Sequence, residues 1–155
     1  MRARMSLTSI LFLGTALFLA IFARGEEPWQ KIENDYFTFS LPSGFKKTEA
    51  RGKDSFVEEY VAEGMLVRFD YGKYSNRFGG WPPETKFEEL KINGKTAKVG
   101  TTEQELQKGF SCATQVNIPL DGGLALTLFA ACDSEKELAT ARKIFETIAF
   151  KQAKP

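Results

Sequence analysis

The sequence predicts an α+β domain: an antiparallel β-sheet built from hairpins, with a C-terminal helix packed on one face and a short final strand. Three observations predict it. Apolar and polar residues alternate through several short runs. Turn signals at Glu63-Gly64, Asn93-Gly94 and Asp121-Gly122-Gly123 fold those runs back on themselves. Only after Cys132 does the apolar period change from two to that of a helix.

The chain begins with Arg2 and Arg4, followed by an apolar run from Ile10 to Ala23. As a helix this run spans roughly 21 Å, short of the ~30 Å hydrocarbon core of a bilayer. That length suits the apolar region of an export signal. Ala23 and Gly25 supply small residues at −3 and −1 for cleavage after Gly25. Cleavage after Ala23 would put Ile21 at −3, and retention as an anchor is the other alternative. The reading is residues 1–25 as signal peptide and 26–155 as one α+β domain, periplasmic or secreted, with no stable membrane span once the signal is removed.

Charge and composition exclude several functions. The 155 residues hold 21 Lys+Arg, 20 Asp+Glu and no His. Without His there is no Ser-His-Asp triad, no imidazole base and no His-ligated metal. Residues 1–25 contain three Arg and no acid, so the remainder has 18 Lys+Arg against 20 Asp+Glu, a net charge of −2. A net charge this near zero argues against a dedicated nucleic-acid binder.

Phe37, Phe39 and Leu41 alternate with polar residues before Pro42-Ser43-Gly44 breaks the run, a short strand ending in a turn. Phe56 to Tyr71 folds at Glu63-Gly64, where a two-residue turn makes paired positions sum to 127. Phe56, Tyr60, Ala62, Met65, Val67, Phe69 and Tyr71 then share a face, broken only by Glu58. The other face sets Glu59 opposite Arg68 and Val57 opposite Asp70. Asn93-Gly94 suits a type I′ turn, because both residues tolerate positive φ. It places Leu90 opposite Ala97 and Glu89 opposite Lys98.

A third hairpin runs from about Phe110 to Cys132 around Asp121-Gly122-Gly123. A three-residue loop gives pairs summing to 244 and sets Cys112 opposite Cys132, with the apolar residues on one face. An exported compartment is oxidising, so a structural Cys112–Cys132 disulfide is expected, worth roughly 3 kcal/mol for a ~20-residue loop. The alternative, a redox pair, lacks a C-x-x-C arrangement. Ser134 and Glu137 then form a capping box, and Leu138, Ala141, Ile144, Phe145 and Ile148 recur at helical spacing, predicting a helix over 135–146. Ile148-Ala149-Phe150 reads as the final strand.

The segments Tyr36-Phe-Thr-Phe-Ser-Leu-Pro-Ser-Gly-Phe45, Ile92-Asn-Gly-Lys-Thr-Ala97 and Ala141-Arg-Lys-Ile-Phe-Glu-Thr-Ile148, in that order, resemble the PsbP-type domain and its bacterial exported relatives. The resemblance implies an antiparallel sheet flanked by helix, in accessory or assembly proteins without catalytic activity. It carries over no functional residue, and this chain departs from it in lacking clear helices before Ser134 and in the expected Cys112–Cys132 bridge.

Two places carry candidate chemistry. Glu59, Arg68 and Asp70 share a strand face, either as a solvated charge ladder or as a weak cation or polar-ligand site. The adjacent pairs Glu58-Glu59 and Glu88-Glu89 cannot share a site, since strand neighbours point to opposite faces. Gly72 to Lys86 is a long aperiodic connection carrying Tyr74, Arg77, Phe78 and Trp81, residue types favoured at interface hot spots. Its aromatics either cover the sheet edge or an open end of the core, or meet a protein, a peptide or a sugar stacked on Trp81. The resulting expectation is a non-enzymatic accessory or binding protein, without cofactor or metal, touching a protein or peptide through this loop. The alternative is a carrier of a small apolar ligand between sheet and helix. A His-free enzyme ranks last, since no P-loop, dinucleotide fingerprint or nucleophile elbow is present.

Overall fold

A computed structural model describes residues 28–75 and 77–152; the proposed signal segment lies outside them. The strands are β1 (Trp29–Glu33), β2 (Phe37–Pro42), β3 (Lys46–Lys47), β4 (Phe56–Ala62), β5 (Met65–Gly72), β6 (Lys86–Ile92), β7 (Lys95–Thr102), β8 (Cys112–Pro119) and β9 (Ala125–Cys132). Helix α1 (Glu135–Glu146) and strand β10 (Ala149–Phe150) complete the chain. Two antiparallel sheets result. The larger has seven strands in the order β3-β4-β5-β9-β8-β7-β6; the smaller is β1-β2-β10. The fold is α+β, mostly antiparallel sheet with one C-terminal helix on it.

The turns set the registers. Ala62 pairs with Met65, and Glu59 with Arg68. At the Asn93-Gly94 turn both residues adopt positive φ, 48° and 77°, and Leu90 pairs with Ala97. A 3-10 turn at Asp121–Gly123 sets Cys112 opposite Cys132.

The expected disulfide is not there. Cys112 and Cys132 face each other, but both are free, buried thiols. An opposed register fixes only the backbone spacing; the side-chain rotamers decide whether the sulfurs meet. Here Cys112 Sγ is directed at the backbone, 3.1 Å from the Cys132 carbonyl oxygen. Burial pushes both thiols above their ordinary range, Cys132 to about 12.

One hydrophobic cluster joins both sheets and the helix. Phe37, Phe39 and Leu41 of β2 point at β4 and β5, where Phe37 meets Phe69 edge-on at 5.0 Å and Phe39 meets Tyr60 at 6.1 Å. Helix α1 covers β8 and β9 through Ala141, Ile144 and Phe145, all fully buried. Each fully buried Phe or Ile contributes roughly 1.5–3 kcal/mol. The helix starts at Ser134, whose Oγ accepts the Lys136 N–H at 3.2 Å while its hydroxyl bonds the Glu137 carboxylate.

Two acids break the apolar pattern of this inner face, one near each sheet edge, and each is gripped by a cation. Glu58 takes Lys47 from β3 and the Tyr60 hydroxyl at 2.7 Å. Glu88 on β6 takes both guanidinium nitrogens of Arg142 from α1. The acids of each adjacent pair point to opposite faces, as strand geometry demands.

Candidate functional site

The other face of the seven-stranded sheet carries the features that suggest binding. Its residues form rows across the strands. One row runs Glu59, Arg68, Phe129, Gln115, Gly100, Phe87; the next runs Val57, Asp70, Thr127, Asn117, Lys98, Glu89. The connection from β5 to β6 folds back over these rows.

Gly100 determines where the connection lands. The glycine has ordinary strand geometry, so its role is space. A Cβ there would sit 2.6 Å from Phe78 Cε1 and 2.9 Å from Phe87 Cε1. Phe78 occupies that depression with a positive φ of 66°, a conformation unusual for a bulky residue. Its ring meets Trp81 and Phe87 edge-on, each at 5.2 Å, and Trp81 meets Phe129 at 6.3 Å. Four rings thus form one continuous patch from loop and strands. Cations flank it: Lys98 Nζ lies 4.1 Å from the Phe87 centroid, and the Arg68 guanidinium 5.9 Å from that of Phe129.

The four loop residues separate into two pairs. Phe78 and Trp81 are half-buried on the sheet, whereas Arg77 is exposed and Tyr74 is 76% exposed. Phe87, which the sequence pattern did not single out, is 47% exposed and completes the open side of the patch. Phe129 and Lys98 were also missed. A readable signal existed: Ala113, Ala125, Phe129 and Ala131 fall on the face that alternation assigns to water, and four apolar residues there imply a cover.

Glu59, Arg68 and Asp70 share this face, but only two of them interact. Arg68 Nε donates to Glu59 Oε2 at 2.8 Å and its NH2 to Gln107 Oε1 at 3.3 Å, while Thr48 donates to Glu59 Oε1 at 3.0 Å. Asp70 stands one row away, and its buried Oδ1 has no hydrogen-bond partner among the described residues. Next to it Asn117 Nδ2 donates to Thr127 Oγ1 at 2.9 Å, and Thr127 Oγ1 lies 3.4 Å from Ser75 Oγ. The arrangement is an ion pair beside a buried polar row.

Cys112 lies at the edge of a groove of about 580 Å³ between β7, the 103–111 connection and the start of α1, with Glu103, Ser134 and Glu135 around it. Its raised thiol pKa disfavours the thiolate that nucleophilic chemistry needs. Among the described residues no group of three or more Cys, Asp or Glu side chains converges to hold a metal. No helix among them is long and apolar enough to cross a membrane.

No protein-family model matches the chain, and no curated protein matches it.

Proposed function

We propose that this chain is an exported, non-catalytic accessory or binding protein that meets a protein or peptide partner through the patch of Tyr74, Arg77, Phe78, Trp81 and Phe87. The observation carrying this reading is the continuity of the rings. Phe78, Trp81, Phe87 and Phe129 meet one another at 5.2–6.3 Å, are held on the sheet at Gly100, and leave Phe87 open, while Tyr74 stands exposed on the same connection. A rigid aromatic anchor rimmed by cations loses little conformational entropy on binding, which is why Trp, Tyr and Arg dominate hot spots. Export rests on the sequence of residues 1–25, and the PsbP-type relationship on the three segments quoted above; both belong to the proposal.

The apolar-ligand carrier finds less support, because Ala141, Ile144, Phe145, Leu128, Ala130 and Val116 fill the space between sheet and helix. The test is a photo-crosslinking amino acid at position 74, activated in the native exported fraction. A discrete adduct is expected, and it should disappear when Trp81→Ala or Phe87→Ala is added. An adduct indifferent to both substitutions, or none at all, would overturn the reading. N-terminal sequencing of the same material should begin at Glu26.

A further inference from the structure

A second cleft shares none of its lining residues with the aromatic patch. Three turns converge there with the end of β10: residues 34–36, 93–95 and 120–124. They enclose a cleft of about 700 Å³ with Tyr36, Tyr71 and Phe150 on its wall and Leu120 and Leu124 beside them. That volume falls within the range of small-molecule sites.

The frame is fixed by hydrogen bonds. Asn34 Oδ1 accepts the N–H groups of Tyr36 at 2.9 Å and Phe37 at 3.0 Å. Lys151 N–H donates to the Tyr36 carbonyl at 2.9 Å, and Phe150 N–H to Asn93 Oδ1 at 3.0 Å. Leu120 N–H closes the last turn onto the Leu124 carbonyl at 2.9 Å. Tyr36 stacks on Tyr71 with centroids 4.4 Å apart and rings 21° from parallel, yet remains 47% exposed. An aromatic residue held this firmly and left open is a preorganised platform.

The polar rim narrows the ligand class. Lys95, Lys151, Asp35, Asp121 and Gln152 line the rim, so it carries both donors and acceptors, and Lys151 is paired with Glu33 at 2.8 Å. A strongly anionic or cationic ligand would meet a like charge as well as an opposite one on this rim. A neutral polyhydroxylated ring meets none, since its hydroxyls can pair with both signs while its C–H face lies on an aromatic ring. Lys95 makes no ion pair among the described residues, and its ammonium lies over the Phe150 ring, 5.7 Å from the centroid. The Tyr71 phenol, pushed up by burial and by Tyr36, stays protonated and able to donate.

We infer that the cleft walled by Tyr36, Tyr71 and Phe150 is a saccharide-binding site, with Lys95, Asp121 and Gln152 addressing the hydroxyls. The test is a titration of the ¹⁵N-labelled protein with cellohexaose, chitohexaose and maltohexaose, read in amide chemical shifts. At least one should move the Tyr36, Lys95, Asp121 and Phe150 resonances together and saturably. Tyr36→Ala should weaken that binding about tenfold, and Asp121→Asn by a smaller factor of about three. Tyr36→Phe, which keeps the stack and hence the fold, should bind like the wild type. Trp81→Ala should leave the titration unchanged, which separates this site from the proposed partner surface. The inference is overturned if none of the three sugars moves those resonances, if the shifts centre on Trp81, or if Tyr36→Ala binds normally.

Discussion

The seven-stranded sheet is covered on both faces, but by materials of different kinds. The inner face is sealed by regular elements, β2 and α1, whose apolar side chains interlock with its own: Phe37, Phe69, Leu128 and Phe145 are essentially fully buried. The outer face is covered by irregular chain, the connections at 73–85 and 103–111, over a mixture of rings and buried polar groups such as Gln115, Asn117 and Thr127. Stability belongs to the first face, and recognition can be placed on the second at little cost to folding. A loop anchored by a few rings can change its contacts without disturbing a core.

This contrast is open to measurement. Phe145→Ala on the inner side should lose about 3–5 kcal/mol, because the cavity lies among residues that cannot collapse into it. Trp81→Ala on the outer side should lose only about 1–2 kcal/mol, since its ring is half-buried. Chemical denaturation of both variants decides it. Equal losses would mean that the loop is as structural as the core and would weaken the division between the faces.

Gly100→Ala sharpens the comparison at one atom. The new methyl would collide with Phe78 and Phe87, costing about 1–3 kcal/mol if the rings must shift. In a Phe78→Ala background most of that cost should vanish, a coupling that a double-mutant cycle reads directly. An undiminished cost would show that Phe78 does not rest on Gly100 in solution.

The inner face should also fail first in alkali. Burial raises Tyr60, Tyr71, Cys112 and Cys132, all inner-face groups, above their ordinary values, and Glu58 adds to the effect at Tyr60. These are neutral acids with raised folded-state pKa values. Their stabilisation is therefore complete below the unfolded-state values, near 9 for Cys and 10 for Tyr, and is lost as pH rises toward the folded ones. The slope is about 1.4 kcal/mol per pH unit for each group in its window. Denaturation between pH 8 and 11.5 should show this decline, shallower by one group's share in Cys132→Ala. The wild-type samples should release two thiols on unfolding, the variant one, and neither should show linked peptides; an equal slope in the variant would remove Cys132 from the account.

How far the fold was legible follows from the same two faces. The hairpin registers could be read because turn residues and alternation constrain each other: Asn93-Gly94 admits one pairing that keeps Leu90, Ile92, Ala97 and Val99 together. The small sheet could not. In β1, Trp29–Glu33, only Trp29 and Ile32 are apolar, and they fall on opposite faces, so an edge strand is indistinguishable from polar loop. The cysteines show the finest limit, since sequence placed them opposite each other but rotamers keep the sulfurs apart. For the candidate site, composition exposed the loop's aromatics, whereas Phe129 comes from a strand distant in sequence and joins it only through the fold, and Phe87, one residue past the connection, reads as part of the next strand.

The smallest effect is expected where the outer face looks least finished. Asp70 faces Val57 on one side and Thr127 on the other, and Arg68, its natural counter-ion, is already committed to Glu59 and Gln107. Its buried Oδ1 is therefore left without a donor among the described residues, a deficit typically worth about 1–3 kcal/mol when complete. Asp70→Asn keeps the shape and replaces one acceptor with a donor. It should leave stability unchanged or raise it by up to about 1 kcal/mol, measured as urea midpoint at constant slope. Arg68→Ala, by contrast, should lower stability, because it strands Glu59 beside Thr48 with half its partners gone. A marked loss in Asp70→Asn would mean that the carboxylate itself is needed in this row, and would turn attention from the aromatic patch to the polar groups beneath it.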